Sequence, residues 1–321
     1  MYEIYLGPMS KNIVDGVTAF TEKNNVPIGL IASRRQVDYT GGYVNKWNTK
    51  TFTEYVKNKS PNVVVCRDHG GAGQGKMDDD GVDSLIEDAK YMDIIHIDPW
   101  KRLELEDAIK YTVDMIIKCS SVNDSCFFEV GTEEAIFPMT PETLDYVLGT
   151  IETEIPQLFS KIYYAVIQSG TSLKDGVNTG KYDEERLLRM TTVCSKYGLL
   201  SKEHNGDYLS PEQINRKFKL GLSSINIAPE VAHIETKHVL KNISEEKTEQ
   251  WFNLCIEDGQ WRKWFSSDFD PTRNKQKVLK LCGHYVLGNE SFSKIFDLNS
   301  ISSDVSNDIN KFITERLNYH G

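Results

Sequence analysis

Residues 63–71 read Val63-Val64-Val65-Cys66-Arg67-Asp68-His69-Gly70-Gly71, a β-branched run that ends in an acid, an imidazole and two glycines. A continuous run of this kind is typical of a strand that is buried on both faces, as in a parallel sheet. The Asp68-His69 pair stands at the carboxyl end of that strand, where the backbone is about to turn. In α/β folds, functional sites are built at this end of the strands. The stretch therefore predicts both a parallel sheet and a site.

Similar strand patterns recur along the chain and alternate with helical patterns. The predicted strands cover residues 2–7, 27–32, 63–71, 93–99, 126–131, 161–168, 199–204 and 224–228. Helices are predicted at residues 10–20, 51–59, 79–91, 103–118, 140–153 and 183–197, and from residues 210 and 229 onward. Eight such units in roughly 240 residues match the usual size of a (β/α)₈ TIM barrel. A doubly wound sheet is the alternative, but it usually has fewer strands and a glycine-rich first turn that is absent here.

The alternation of strand and helix patterns ends at about residue 243. From about Ser244 the chain forms helical patterns that are rich in tryptophan, phenylalanine and charge, including Trp251, Trp261 and Trp264. We therefore expect an α/β fold with a barrel over residues 1–243. An appended C-terminal helical region over residues 244–321 is expected to pack on that barrel.

Composition and charge exclude several classes of function. The 321 residues are 39% hydrophobic and 10% aromatic, which is ample for a core. The net charge of −10 argues against a nucleic-acid or anionic-membrane surface, although local arginines can still bind a small anionic substrate. No apolar run approaches 18 residues, no signal-peptide pattern opens the chain, and the six cysteines form no CxxC pair. We expect a cytoplasmic protein with reduced thiols and no membrane or nucleic-acid partner.

Polar side chains follow the predicted strands at their carboxyl ends, and they include three of the seven histidines. They are Ser33, Gln36, Asp68, His69, His96, Asp98, Glu129, Glu133, Gln168, Glu203, His204 and Asn226. In a barrel these strand ends meet at one mouth, so residues that are far apart in sequence become neighbours. Imidazole and carboxylate ligands from separate strands suit Zn²⁺ or a similar divalent ion with an open position for substrate. Such an ion can polarise a carbonyl while a nearby carboxylate moves protons, which is the chemistry of metal-dependent aldolases.

Taken singly, several of these residues also have a structural explanation. A lone histidine at a strand end is more often hydrogen-bonded than metal-bound, and Asp98 before Pro99 could be a turn residue. Lys202 could point inward as a Schiff-base lysine, but a solvated or ion-paired lysine is the commoner case. Arg34 and Arg35 could bind an anionic group, although surface arginines are commoner.

Ordered motifs along the chain carry a family resemblance. They are Ala32-Ser33-x-x-Gln36-Val37-x-x-x-Gly41-Gly42-Tyr43, Asp68-His69, Ile95-His96-Ile97-Asp98, Val130-Gly131-Thr132-Glu133, Glu203-His204-x-x-Asp207-Tyr208 and Trp261-x-x-Trp264-Phe265. Together they resemble the non-catalytic-subunit family of tagatose-bisphosphate aldolase, which belongs among the class II aldolase-like barrels. The resemblance spans nearly the whole chain.

The resemblance implies a metal site of the class II aldolase type. His69 and His204 would be metal ligands, with Glu129 or Glu133 near them. His96 or a glutamate would complete the ligand set. Zinc, or another divalent ion, is the implied cofactor.

The resemblance also implies roles in handling the substrate. Asp68 would handle the hydroxyl proton during carbon–carbon cleavage, with Glu129 and Glu133 as the other catalytic carboxylates. The sixth strand ends in Gln168, where the catalytic members of the family carry a further histidine. The predicted substrate contacts are Ser33, Arg34, Gln36, Asp98, Gln168 and Asn226.

Two functions of different classes remain open from the sequence. The first is a metal-dependent aldolase or epimerase that acts on a phosphorylated or otherwise acidic ketose. The second is a non-catalytic partner that stabilises a catalytic tagatose-bisphosphate aldolase subunit. The first is favoured because a purely structural partner has no physical need for acids and imidazoles at five or more strand ends. We expect a homo-oligomer or a hetero-oligomer with an aldolase subunit.

Overall fold

Eight parallel strands form a closed barrel in the computed structural model, which describes residues 4–174 and 176–317. The strands are β1 (Ile4–Leu6), β2 (Gly29–Ser33), β3 (Val64–Gly70), β4 (Ile94–Ile97), β5 (Phe127–Val130), β6 (Ile162–Ile167), β7 (Leu200–Glu203) and β8 (Ser224–Ile227). They follow one another around the barrel in sequence order, and β8 closes on β1. The predicted TIM barrel is therefore confirmed. Residues 2 and 3 of the first predicted strand lie outside the described part.

A helix follows each barrel strand. These helices are α1 (Lys11–Asn24), α2 (Thr49–Lys59), α3 (Val82–Tyr91), α4 (Leu105–Val122), α5 (Pro141–Glu154), α6 (Glu184–Lys196), α7 (Pro211–Lys219) and α8 (Pro229–Asn242). The third helix begins at Val82 rather than at residue 79, because Gly81 has a φ of 74° and a left-handed residue cannot continue a right-handed helix. A short antiparallel hairpin that was not predicted, Leu173–Lys174 with Val177–Asn178, lies between β6 and α6.

The inside of the barrel is packed with side chains rather than open. Its apolar residues are Tyr5, Ile31, Val64, Cys66, Ile94 and Tyr164. A larger apolar core lies between the strands and the surrounding helices. Because the interior is filled, the polar residues at the carboxyl ends of the strands lie at a mouth that is closed from below.

Four further helices follow the barrel, namely α9 (Glu245–Asp258), α10 (Lys275–Cys282), α11 (Glu290–Ile295) and α12 (Ser302–Leu317). Helix α12 packs closely on α1, where a Cβ added to Gly16 would lie 3.1 Å from Ile309 Cβ. Trp251 of α9 is fully buried. The predicted helical region is thus present, and its last residues, 318–321, lie outside the described part. Within that part, none of the helices combines the length and the apolar composition that a membrane span requires.

Candidate metal centre

A backbone irregularity at the end of β3 places Asp68 and His69 together. Consecutive side chains of a regular strand point to opposite faces of the sheet. In β3 the register against β4 shifts between Arg67 and Gly70, and His69 has a left-handed backbone with a φ of 48°. Such a conformation costs about 1–3 kcal/mol and is found mostly at functional sites. It allows both side chains to reach the mouth of the barrel.

Four side chains from three strands converge at this mouth. They are Asp68, His69, His96 and His204, and one ligand atom of each lies within 4.8 Å of the others. The ring centres of the three histidines lie 5.0–5.3 Å apart. Asp68 Oδ1 lies 3.6 Å from His204 Nδ1 and 3.8 Å from His69 Nε2. The structure therefore brings together the aspartate and the three histidines that the sequence places at separate strand ends.

Carboxylates orient two of the histidines from behind. Asp98 Oδ2 lies 2.5 Å from His69 Nδ1, and Glu129 Oε1 lies 2.7 Å from His204 Nε2. These contacts leave the other nitrogen of each ring facing Asp68. Metal-ligating histidines usually have such a partner, because it fixes the ring and makes the ligand nitrogen more basic. Asp98, predicted as a substrate contact, thus lies behind His69.

Two atoms of the cluster are buried without a hydrogen-bond partner in residues 4–174 and 176–317: Asp68 Oδ1 and His204 Nδ1. A buried polar atom left unsatisfied costs about 1–3 kcal/mol. A divalent ion between them would satisfy both, and carboxylate oxygen with imidazole nitrogen is a donor set that zinc accepts. The residues present therefore fit a metal ion, with Asp68, His69 and His204 as the side chains that would hold it.

His96 lies close to this set, but both of its ring nitrogens have backbone partners. Its Nε2 donates to the Gly131 carbonyl at 2.9 Å, and its Nδ1 accepts from the His69 N–H at 3.2 Å. Burial lowers the pKa of His96, which favours the neutral ring that these two hydrogen bonds require. His96 thus holds the backbone of His69, and its role as a metal ligand stays a prediction.

Opposite charges face each other in the cluster of Asp68 and the histidines. Burial acts to raise the pKa of Asp68, but the three histidines outweigh it and the pKa is lowered. Burial acts to lower the pKa of His69, but Asp68 and Asp98 outweigh it and raise the pKa to about 10. The pair is therefore a carboxylate and an imidazolium, and a bound metal ion must displace the proton of His69.

Glu129 and Lys202 form an ion pair inside the barrel. Lys202 Nζ lies 2.7 Å from Glu129 Oε2 and 3.7 Å from the centre of the Tyr5 ring. Both charged side chains are almost fully buried. The commoner of the two explanations for Lys202, an ion-paired lysine, is confirmed. Glu129, predicted among the catalytic carboxylates, is enclosed between Lys202 and His204 and orients the histidine.

Glu133 and Asn226 differ in how accessible they are. Glu133 is partly exposed, and Asn205 Nδ2 donates to its Oε2 at 2.5 Å. Its charge acts on His69, which places it beside the cluster. Asn226 on β8 has a buried Oδ1 without a hydrogen-bond partner among the described residues. Glu133 is thus a partly exposed carboxylate beside the cluster, whereas Asn226 is buried and its role as a substrate contact stays a prediction.

Arg34 has its partners within the protein. Its guanidinium donates to Asp38 Oδ2 at 3.0 Å and to Asp79 Oδ2 at 2.7 Å. The side chain is 1% exposed. Because its charge is already neutralised by two carboxylates, Arg34 supports the loops after β2 and β3, and its role as a substrate contact stays a prediction.

Three other predicted substrate contacts also make internal hydrogen bonds. Gln168 Nε2 donates to two backbone carbonyls of the β5–α5 connection, at 2.9 and 2.8 Å. Gln36 Oε1 accepts from the Ser33 N–H at 2.8 Å. These glutamines shape the loops around the mouth. Gln168 therefore holds the β5–α5 connection in place through its two hydrogen bonds. It does so at the position where the resemblance implies a histidine.

Gln74 is a supporting residue that the sequence did not single out. Its Nε2 donates to Asp98 Oδ2 at 3.0 Å, the oxygen that also contacts His69 Nδ1. Gln74 lies in the glycine-rich segment after β3. The sequence of that segment does not show whether the Gln74 side chain is exposed to solvent or hydrogen-bonded to Asp98, so this contact could not be predicted.

No family model matches the sequence, and no curated protein is similar to it. Solved structures share its fold. A probable tagatose 6 phosphate kinase from Sinorhizobium meliloti 1021 has a TM-score of 0.79 and 14% identity, over 98% of this chain and 94% of that one. A fructose-bisphosphate aldolase from Campylobacter jejuni (TM-score 0.63, 14% identity) is matched over 99% and 89%. A fructuronate-tagaturonate epimerase from Cohnella laeviribosi (TM-score 0.63, 10% identity) is matched over 99% and 81%. At these identities the likeness is one of fold alone, a (β/α)₈ TIM barrel.

Proposed function

We propose that this chain is a metal-dependent enzyme of the aldolase or epimerase type that acts on a phosphorylated or otherwise acidic ketose. One observation carries the proposal. Asp68 Oδ1 and His204 Nδ1 are buried without a partner in the described residues and face each other at 3.6 Å. A pair of unsatisfied ligand atoms at a barrel mouth is stabilised when a metal ion binds between them.

The proposed ligands are Asp68, His69 and His204. When bound, a divalent ion would supply a Lewis acid for a substrate carbonyl. Asp98 and Glu129 hold the far nitrogens of the two histidines, so the ligand nitrogens are oriented before any ion arrives.

Proton transfer needs a carboxylate that the substrate can reach, and Glu133 meets this need. It is partly exposed beside His69, and the amide of Asn205 fixes one of its oxygens. Glu133 can accept a proton from a substrate hydroxyl or carbon and return it. Asn226 can hydrogen-bond a sugar hydroxyl. Aldol cleavage begins with loss of the proton of the hydroxyl β to the carbonyl, and epimerisation through an enediolate with loss of the proton on the carbon α to it. One carboxylate beside the carbonyl can serve either reaction.

The first test is the metal content of the purified, untagged protein by elemental mass spectrometry. We expect about one divalent ion per chain in the wild type and almost none in His204→Ala, because a three-ligand site does not survive the loss of an imidazole. His238→Ala is the matched control, since His238 pairs with Asp308 away from the mouth. An ion-free wild type after reconstitution would favour the partner-subunit function, and copurification with an aldolase subunit would then be examined.

The second test separates binding from turnover. Glu133→Gln is expected to keep the ion but to lose turnover of ketose phosphates or ketouronates, followed by nuclear magnetic resonance, because an amide cannot accept the proton. Unchanged turnover in Glu133→Gln would remove Glu133 from the mechanism.

A further inference from the structure

The β7–α7 connection begins directly after His204, a proposed metal ligand, and contains two left-handed residues. Asn205 has a φ of 61° and Tyr208 a φ of 62°. Asparagine tolerates this conformation, whereas it is rare for a bulky residue such as tyrosine. Such a backbone persists only where surrounding contacts hold it, and it is found mostly at functional sites. The contacts that hold this connection therefore bear on the neighbouring site.

Backbone donors fix the middle of the connection. The Gly206 N–H donates to the Asn226 carbonyl at 2.8 Å. Asp207 Oδ1 accepts from the N–H groups of Ala228 and Glu230, at 3.0 and 2.7 Å. The connection is thereby joined to β8 and to the first turn of α8.

Glu230 links the end of the connection to the C-terminal helix α12. Its Oε2 accepts from the Tyr208 N–H at 2.8 Å, and its Oε1 accepts from Arg316 Nη2 at 2.8 Å. The Arg316 side chain is 6% exposed, and its Cζ lies 3.5 Å from the centre of the Phe312 ring. Hydrogen bonds between charged groups are stronger than those between neutral ones. Arg316 thus fixes the carboxylate that holds the left-handed Tyr208.

The other end of the connection holds the proposed base. Asn205 Nδ2 donates to Glu133 Oε2 at 2.5 Å. The Asn205 carbonyl in turn accepts from Asn178 Nδ2 at 3.0 Å. Because the backbone of Asn205 is fixed on both sides, its side-chain amide is held at the carboxylate.

We propose that Arg316 is a positioning residue for Glu133, acting through Glu230 and the β7–α7 connection. The proposal rests on the proposed function for the role of Glu133 as the base. A base must lie within hydrogen-bond reach of the proton that it removes, and a misplacement of about 1 Å can cost about 100-fold in rate. The C-terminal region would thus contribute to the site through α12.

The alternative is that the Arg316–Glu230 pair only anchors α12 to α8, and a second pair between these helices allows a comparison. His238 Nε2 of α8 lies 2.9 Å from Asp308 Oδ2 of α12. His238 lies roughly two helical turns beyond Glu230 along α8. A variant that breaks this pair loosens the same two helices without removing a contact to the β7–α7 connection.

The first measurement needs no substrate, because it follows the side-chain amide signals of Asn205 by nuclear magnetic resonance. Glu133→Ala gives the reference for a broken contact between Asn205 and Glu133. Arg316→Met and Glu230→Ala are each expected to shift the Asn205 signals toward that reference. Glu230→Gln, which keeps an acceptor for the Tyr208 N–H, should shift them less.

The second measurement is turnover of ketose phosphates or ketouronates. In Arg316→Met, kcat should fall by about tenfold or more while KM and metal content stay near the wild-type values, because the base is displaced but the metal ligands remain. Arg316→Lys keeps a cation for Glu230 and should restore most of kcat. His238→Ala is the matched control and should keep both the Asn205 signals and kcat.

The two proposals can fail separately. Asn205 signals that stay in place in Arg316→Met and Glu230→Ala would overturn the positioning role, and so would equal shifts in His238→Ala. Shifted signals with an unchanged kcat would also overturn it, because the position of Glu133 would then not matter to the reaction. Shifted signals in a wild-type protein that turns over no ketose would support the link from Arg316 to Glu133 and count against the proposed function.

Discussion

Lys202 and Glu129 form the buried ion pair inside the barrel, and the pair has a measurable cost when broken. Lys202→Met leaves the Glu129 carboxylate buried without its lysine, although His204 Nε2 still lies 2.7 Å from its Oε1. Removing one member of a buried pair typically costs about 3–5 kcal/mol, and we expect a loss of that size in urea unfolding. Lys57→Met, which breaks the half-exposed pair with Asp93, is the control and should cost less than about 1 kcal/mol. Equal losses in the two variants would contradict this account.

Glu129 also contacts His204 Nε2, and the effect of this contact can be measured through the affinity for a metal ion. In the double variant Lys202→Met/Glu129→Gln no unpaired charge remains, so most of the stability should return. The affinity for the metal should nevertheless fall by about 10–100-fold in a chelator competition, because His204 has lost the carboxylate behind Nε2. Lys202→Met alone keeps that carboxylate and should bind metal as the wild type does. Wild-type affinity in the double variant would show that Glu129 does not orient the ligand.

Helix α6 ends at a glycine that the sequence predicts as a helix terminator. Gly198 has a φ of 69°, and its N–H donates to the Ser195 carbonyl at 3.1 Å. Among the described residues other than its two chain neighbours, no heavy atom lies within 4 Å of a Cβ built at this position, so a side chain would meet only the cost of the left-handed backbone. Gly198→Ala should therefore lose about 1–2 kcal/mol in urea unfolding, and Gly198→Asn less, because asparagine tolerates this conformation. An unchanged midpoint in Gly198→Ala would refute the argument.

Strands and most helices follow from local patterns, but their irregularities do not. The Val63–Val65 run predicts β3 because a β-branched segment suits a buried strand. The register shift after Arg67 arises only from pairing with β4, so no local pattern reveals the left-handed backbone of His69. Likewise, the acidic run before α3 looks helical in sequence, but Gly81 has a left-handed backbone with a φ of 74° and α3 begins only after it.

Closure of the barrel explains how much of the site was predictable. Strand ends meet at one mouth in any such barrel, so the sequence could bring Asp68, His96 and His204 together. Which nitrogen faces which neighbour depends on the register between strands. His96 lies opposite Glu129 in the β4–β5 pairing, for instance, yet Glu129 reaches across to His204. Contacts of this kind can be identified only when the pairing of the strands in the barrel is known.

Glu235 is buried beside the contact that Asn12 makes with the C-terminal region, and it makes the stability of the molecule depend on pH. Its Oε1 accepts from Asn12 Nδ2 at 2.7 Å, and the same amide donates to the Leu298 carbonyl at 2.9 Å. Burial raises the pKa of Glu235 from 4.5 to about 7, although hydrogen bonds from Ser10 and Asn12 act to lower it. A raised carboxyl pKa means that the folded state prefers the protonated form. Its contribution to stability is therefore complete below pH 4.5 and is lost as the pH rises through 7.

Glu235→Gln keeps the shape of the protonated side chain and cannot ionise. Between pH 4.5 and about 8 the variant should gain on the order of 3 kcal/mol in free energy of unfolding relative to the wild type, measured by urea titration at each pH. The gain is expected only on the alkaline side, because below pH 4.5 both chains carry a neutral group at this position. Glu22→Gln is the control for removing a carboxylate from an exposed position: Glu22 accepts a hydrogen bond from Ser60 Oγ at 2.6 Å. A constant difference between Glu235→Gln and the wild type across this range would mean that Glu235 ionises as easily in the folded chain as in the unfolded one, and that burial does not raise its pKa.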